Sequence, residues 1–554
     1  MVFKVKYLNQ YITICIAILI FLICFYGIIV NYSPAPYWDS WNGQLEFLLN
    51  YYSVTFEDKI FFLFEQHNEH RYFFTRILFL IDNYLFNSAF YSLYAFNAIA
   101  PFLPLGVIFL LQKNLELSLR YNFTALSACV LFSLLQKENF YWEFQSQFFL
   151  AQYIPFLCYY FVIRFWSKSV TKNSIYIFVA AILSAITMAN GLLFAIPLCL
   201  IFACYPGYRK YALISALIWV FLYILYFKIL PYESIENHGS FRTDVLPNFE
   251  RYIRYIFTYV GSPFGSNLAL IMGVLYVILA LTIFWKQALR KSPISAQTVL
   301  LLFILYYGIT VAATGLGRVN FGVGQAMASR YLTPTLLAWL CLLLLFVLRS
   351  EGRALPKTLV KWAPPVLALL LLVQQVSSFS REYHRLTERE LALMSLHLGA
   401  EDRPKVQAIL FPSLEFVTHI YDQSKVAGLN FTKPWSDWGQ IGEQVETLDA
   451  QCLGAVDKII PLGTSLTHVQ GWILESDADV TARDSLVLVS KGTVVGIGLR
   501  GLYRPDVANV YGEKAKFSGF HLYMKTSQSK NQLALQSTRI SSKCSLPFST
   551  KSND

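Results

Sequence analysis

Charge is what this chain has least of. Only 14% of its 554 residues are Asp, Glu, Lys or Arg, against 55% hydrophobic and 16% aromatic residues. With a positive mean hydropathy, that balance excludes a solvated globular domain as the whole answer. Nothing repeats at a solenoid period and no stretch is low-complexity, which sets aside arrays and disordered tails. There is no CxxC pair, HExxH helix or Walker loop, and no GxGxxG in a strand–helix setting. Zinc, nucleotide and dinucleotide chemistry therefore have no motif to rest on. Acids are scarcer than bases, 34 against 45, for a net charge of +11. The basic excess falls in short clusters between apolar runs, where it orients membrane segments, so it does not point to nucleic acid.

What is present is a series of apolar runs near twenty residues long. Eleven membrane spans are expected, near 11–30, 91–111, 122–136, 148–166, 175–189, 191–205, 211–230, 266–286, 297–314, 331–348 and 360–378. Alternate connections carry Lys4 and Lys6; Lys113 and Arg120; Arg164, Lys168 and Lys172; Arg209 and Lys210; Lys286, Arg290 and Lys291; Arg349, Arg353 and Lys357. The positive-inside rule makes these cytoplasmic, with the amino terminus inside and the carboxy-terminal part outside. The first run is too long for a signal-peptide core and no small-x-small cleavage site follows it, so it reads as a span. The fifth and sixth runs meet at Ala189-Asn190-Gly191, where a turn recessed into protein is expected.

The remaining connections are outer loops, and they hold the polar chemistry. Residues 31–90 carry PYWDSW and EQHNEHRYFFTR; 136–147 read QKENFYWEFQSQ; 231–252 are polar; 315–330 read GLGRVNFGVGQAMASR. After Ser380 the composition shifts. SREYHRLTERELALMSLHLG predicts an amphipathic helix with Leu386, Leu391, Leu393, Leu396 and Leu398 on its apolar positions. From about residue 450, short β-rich runs alternate with turn signals, which predicts a small β-sandwich. The expected organisation is an α-helical polytopic membrane domain over 1–380, a connecting helical or mixed segment over 381–449, and an extracytoplasmic β-sandwich over 450–554. Of nine cysteines, Cys452 and Cys544 bracket the β region and are the disulfide candidates in an oxidising compartment. The other seven lie in apolar spans, where inert thiols are the expectation.

Asp39, between Trp38 and Trp41, is the first acid in the chain. A carboxylate at the bilayer border is costly unless solvated or paired, so it is a functional candidate. The plain alternatives are a solvated loop residue or a cap on a helix starting near Ser40, with the tryptophans in an interfacial belt. A sugar carried on a lipid phosphate would need a base for the acceptor hydroxyl and cations for the departing phosphate. Asp39 suits the first. Arg71, Arg318 and Arg330, with His67 and His70, suit the second. Trp and Tyr faces, Trp142 among them, would hold sugar rings. Glu138, Glu143, Gln145 and Gln147 would position hydroxyls. His67, Glu69 and His70 hint at a metal, but lack a third clear ligand and a defined helix.

An acidic residue in the first outer loop is the hallmark of the GT-C superfamily of membrane glycosyltransferases. PYWDSW, EQHNEHRYFFTRILFLID, ENFYWEFQSQF, TMANGLL, YVGSPFG and GRVNFGVGQAMASRYLTP are similar to blocks in its bacterial, O-antigen-modifying branch. The resemblance covers the general plan of residues 1–380. It implies an inverting transfer from a polyprenyl-phosphate sugar to a glycan or lipid-linked acceptor, outside a bacterial inner membrane. It also implies Asp39 as the loop acid, with nearby His and Arg residues on the lipid phosphate. Many members carry a second adjacent acid, whereas Ser40 and Trp41 follow Asp39 here. Glu69 is the acid available to complete a catalytic or metal pair, with Mg or Mn as the candidate ion. The tail resembles a carbohydrate-binding-style sandwich, within which Trp472 is expected in the core. The alternatives are a polysaccharide polymerase, which Arg318 and Arg330 suit as well, and a lipid-linked glycan transporter, for which Asp82 is the clearest acid near a span.

Overall fold

Apolar helices satisfy their backbone internally, which is the condition for crossing a bilayer. The computed structural model describes all residues except 1–7, 234–244, 289–291, 351–356, 401, 433–437, 447, 449, 475–483, 527–531, 538–543 and 550–554. Lys4, Lys6, Arg290, Lys291, Arg353 and the middle of the 231–252 loop thus lie outside the described residues. Among those described, eight helices are long and apolar enough to cross a membrane: Leu8–Val30, Tyr91–Leu111, Leu117–Tyr141, Glu143–Arg164, Pro206–Ile229, Ala269–Lys286, Ala296–Phe321 and Ser329–Arg349. A ninth, Lys361–Ser378, qualifies only with the helix after it, and Val170–Ala185 and Ala189–Ala203 are shorter. All eleven expected runs are therefore helical, but the number that qualify as spans is nearer eight.

The chain forms two compact units: Met1–Ile29, Thr55–Phe79 and Ser92–Phe379 make the first, and Val30–Val54, Leu80–Tyr91 and Ser380–Asp554 the second. These units cut the chain elsewhere than the composition shift does, because two short N-terminal segments belong with the carboxy-terminal half.

In the first unit, buried side chains repair the places where helices break. The helix from Leu117 ends at Leu131, and Gln375, fully buried, accepts from the Leu134 amide at 2.8 Å. The same side chain donates to the carbonyls of Ile20 and Phe132 at 3.1 and 3.2 Å. At Ala189-Asn190-Gly191 the chain makes a 3₁₀ turn, Ala189–Phe194, between two short helices. A Cβ on Gly191 would sit 1.8 Å from the Ser184 carbonyl oxygen, so only glycine lets the turn pack this closely. Asn190 Nδ2 donates to the Tyr306 hydroxyl at 3.0 Å.

In the second unit, the helix Tyr383–His397 buries Leu386, Leu391 and Leu393, as its pattern predicts. The β region departs from expectation. It is one antiparallel seven-stranded sheet of β1 (Leu453–Leu462), β2 (Leu466–Leu474), β3 (Asp484–Ser490), β4 (Thr493–Leu502), β5 (Gly519–Lys525), β6 (Gln532–Ser537) and β7 (Ser545–Ser549), not a sandwich of two sheets. The order β1-β2-β5-β4-β3-β6-β7 leaves β1 and β7 as edges, and the sheet curls until they meet. Cys452 N–H donates to the Ser545 carbonyl at 2.9 Å, and Cys452 is disulfide-bonded to Cys544 with Cα atoms 5.1 Å apart. Both faces of the sheet are apolar. Leu486 and Leu488 point into the curl with Val469, Leu522 and Leu535. Val487 and Val489 point the other way, into a core shared with Leu391, Leu393, Trp41 and Leu45. The two-residue period of a strand thus serves two cores at once. Trp472 is partly buried against Leu474, Val507 and Ala515.

Because the disulfide closes a segment of 92 residues, its loss should cost several kcal/mol, about 2–5 by loop entropy. The Cys452→Ser/Cys544→Ser variant should show a lower melting midpoint for the second unit and faster proteolysis of β7. An unchanged midpoint would mean that the strand edges hold the closure unaided.

Candidate functional site

In the first unit the site is built by a tight turn after the helix Phe56–Leu63. His67 and His70 exchange backbone hydrogen bonds at 2.9 and 3.0 Å across Asn68, which adopts a left-handed φ of 50°. Asparagine tolerates that conformation better than most residues. The turn sets Glu69 beside His70 and opposite Arg318. Glu69 Oε1 lies 3.3 Å from Arg318 Nη2 and 3.5 Å from His70 Nε2, all three half-buried. The Tyr226 hydroxyl donates to the Glu69 carbonyl at 3.2 Å and steadies the turn. His70 Nδ1 accepts from the Ala189 amide at 3.4 Å. That contact leaves the imidazole proton on Nε2, facing Glu69. The recessed turn at Ala189 therefore orients a site histidine, a link that spacing along the chain does not reveal.

A second ion pair lies in the same unit. Arg330 Nη1 meets Glu138 Oε1 at 2.9 Å, and the Arg330 amide donates to Glu138 Oε2 at 3.2 Å. Asn139 Nδ2 holds the Arg330 carbonyl at 2.9 Å. Glu138 and Arg330 thus join the helix Lys137–Tyr141 to the start of the helix Leu332–Ser350. Trp142 and Gln145 are buried. The Trp142 ring sits 6.1 Å from Phe144 and its carbonyl accepts from Asn97 at 3.1 Å. It is a packing residue, not an open sugar platform. Glu143 is fully buried and accepts from the Tyr94 hydroxyl at 3.3 Å.

Two expected phosphate contacts are occupied otherwise. Arg71 is 4% exposed, and its guanidinium donates to the carbonyls of Phe64, at 2.7 Å, and Pro231. The His67 ring packs between Tyr72 and Phe144, with Nε2 buried and without a hydrogen-bond partner. Burial and the nearby Arg76 cation push its pKa down to about 3, so it stays neutral. Arg76, one turn further along the next helix, donates to the carbonyls of Phe62 and Glu65 at 2.5 and 2.7 Å.

Asp39 belongs to the second unit, with Trp38 and Trp41. Trp38 takes φ 47°, a left-handed backbone that is strained for a bulky residue, and its amide donates to the Leu410 carbonyl at 2.7 Å. Asp39 occupies the cap position of a π-helical turn, Ser40–Leu45, yet its side chain makes no cap hydrogen bond. The capping alternative is thereby set aside. Trp41 is buried, with Nε1 donating to the Pro36 carbonyl at 3.2 Å and its ring edge-on to Phe431. It belongs to the core and does not reach a substrate, while Trp38 remains exposed. Asp82, in the same unit, accepts from the Phe90 amide at 2.8 Å and is fully buried. It braces the left-handed turn through Asn87, Ser88 and Phe90.

The donor set does not fit a divalent cation. Glu69 is committed to two basic neighbours, and among the described residues no group of three or more His, Cys, Asp or Glu could hold a metal ion.

One polar cluster went unread in the sequence. His468 on β2 lies directly opposite Tyr523 on β5, with His521 two residues along the same face. The Tyr523 hydroxyl donates to Asp402 at 2.7 Å, His468 Nδ1 lies 3.7 Å from the same carboxylate oxygen, and Lys405 Nζ contacts His521 Nδ1. Burial pushes His468 down to about 4 and His521 to about 2, with Lys405 adding to both. Lys405 itself falls to about 8 through burial.

Arg71→Ala should destabilise the protein by about 2–4 kcal/mol, since it leaves two carbonyls unpaired. Arg318→Ala, at a half-exposed pair, should stay within about 1 kcal/mol of wild type. Melting midpoints of the two variants in the same detergent check the contrast. For the histidine cluster, folded pKa values below the ordinary 6.5 mean that the unfolded chain binds protons first as pH falls. The stability is complete above pH 6.5 and is lost on descending through pH 4. The second unit's midpoint should fall over that window, and His468→Gln should flatten the profile.

Compared with known proteins, the chain matches no protein-family model, no curated protein and no solved structure.

Proposed function

We propose that the chain is an inverting membrane glycosyltransferase. It moves a single sugar from a polyprenyl-phosphate donor to a surface glycan or lipid-linked acceptor on the periplasmic side of a bacterial inner membrane. The observation that carries this reading is the Glu69–His70–Arg318 group: a half-exposed carboxylate shared by a guanidinium and an imidazole, in the loop that follows the first span. Transfer requires the acceptor oxygen to attack the anomeric carbon while the bond to phosphate breaks. The hydroxyl proton passes to a carboxylate, and the electron pair leaves with the phosphate. Arg318 and His70 supply N–H donors for that departing charge, and Glu69 supplies a base.

Asp39 keeps the role of loop acid that the resemblance implies. Support comes from its own surroundings. The strained Trp38 and the π-helical turn at Ser40 are backbone features that concentrate at functional positions.

The test compares wild type, Asp39→Asn, Glu69→Gln and Arg318→Ala at equal membrane levels, weighing the surface glycan repeat by mass spectrometry. A hexose-sized mass should be gained with wild type. The rate of its addition should fall by about 10²–10⁴-fold for whichever acid is the base. A constant repeat mass with altered chain length would replace this reading with the polymerase. Unchanged modification in all three variants would remove it.

A further inference from the structure

The helix Phe56–Leu63 is an anomaly in the first unit. None of its residues is buried, and Phe56, Ile60 and Phe61 are 88%, 59% and 72% exposed. Eight residues rise about 12 Å, far short of a bilayer core of about 30 Å, so the helix is not a span. Water is a poor surrounding for it, because three large apolar side chains would stand in solvent side by side.

Its position is fixed by two buried arginines. Arg76 holds the carbonyls of Phe62 and Glu65, and Arg71 holds that of Phe64. The other arm of Arg71 grips the Pro231 carbonyl, two residues beyond the span Pro206–Ile229. Gln66 adds a two-way pairing with the backbone of Glu233 at 2.7 and 2.8 Å. One guanidinium therefore ties the end of this helix to the end of a span. That span exposes Leu213, Leu217, Phe221, Ile224 and Ile229 along its length. The short helix is thereby held at the end of that span, where an apolar surface of the protein stops.

From this exposure and this placement at a span's end we infer that Phe56–Leu63 is an in-plane membrane helix. It sinks Phe56, Ile60 and Phe61 into the headgroup–acyl boundary of the bilayer, with Glu57 between them reaching up to the headgroups, and leaves Asp58 toward water. The occupant of the exposed face is bulk phospholipid. The inference stands whether or not the chain transfers sugar.

The test uses the full-length protein in vesicles of phosphatidylethanolamine and phosphatidylglycerol that contain no polyprenol. A p-benzoylphenylalanine is placed at Phe56, at Phe61 or, as the water-facing control, at Asp58, and adducts are identified by mass after irradiation. Each variant is first matched to the wild-type melting midpoint, with Ile60 as the substitute position if one fails. Phospholipid-mass adducts at 56 and 61, at least fivefold above those at 58, are expected. Adducts to peptides of a second copy, or yields at 56 and 61 no higher than at 58, would overturn the inference.

Discussion

The structure depends on one constraint: a carbonyl or amide freed where an apolar helix breaks must find a partner inside the protein. The chain meets it with a few long polar side chains. Gln375 serves the break after Leu131, Asn139 serves the start of the helix from Leu332, and Arg71 and Arg76 serve the end of the short helix before the His67–His70 turn. Where a side chain takes over a backbone bond, it is withdrawn from other chemistry. That division separates Arg71, whose donors face carbonyls, from Arg318, whose guanidinium faces a carboxylate.

The same division explains what the sequence made legible. Apolar runs announce helices because composition and length suffice, and the amphipathic helix at Tyr383 announces itself by period. The closing cysteines were visible because they flank the β region. Whether that region forms two sheets or one curled sheet depends on which strands pair, and β5 lying between β2 and β4 leaves no local trace. Likewise Arg71 and Arg318 look alike along the chain. Only the carbonyls and carboxylates gathered around them set them apart.

Of the motif PYWDSW, the residue types were readable and the backbone was not. Two tryptophans flanking an acid suggest a shared task. The fold gives them different ones, since a left-handed turn at Trp38 and a π-helical turn at Ser40 send Trp41 into a core while Trp38 stays outside. No pairwise spacing rule anticipates two successive irregular turns. The Asp402–Lys405–His468–His521–Tyr523 cluster escaped for a related reason: its members come from a helical segment and two strands that meet only after folding.

The composite second unit has a consequence for the order in which the protein is made. The segment Val30–Val54, which carries Asp39, is synthesised more than three hundred residues before its partners beyond Ser380. At about 5–20 residues per second, that delay lasts on the order of tens of seconds. Throughout it Trp41 and Leu45 have none of the core from the carboxy-terminal half to enter. The core around Trp41 and Leu45 therefore cannot close until the segment beyond Ser380 has followed the loop out of the ribosome.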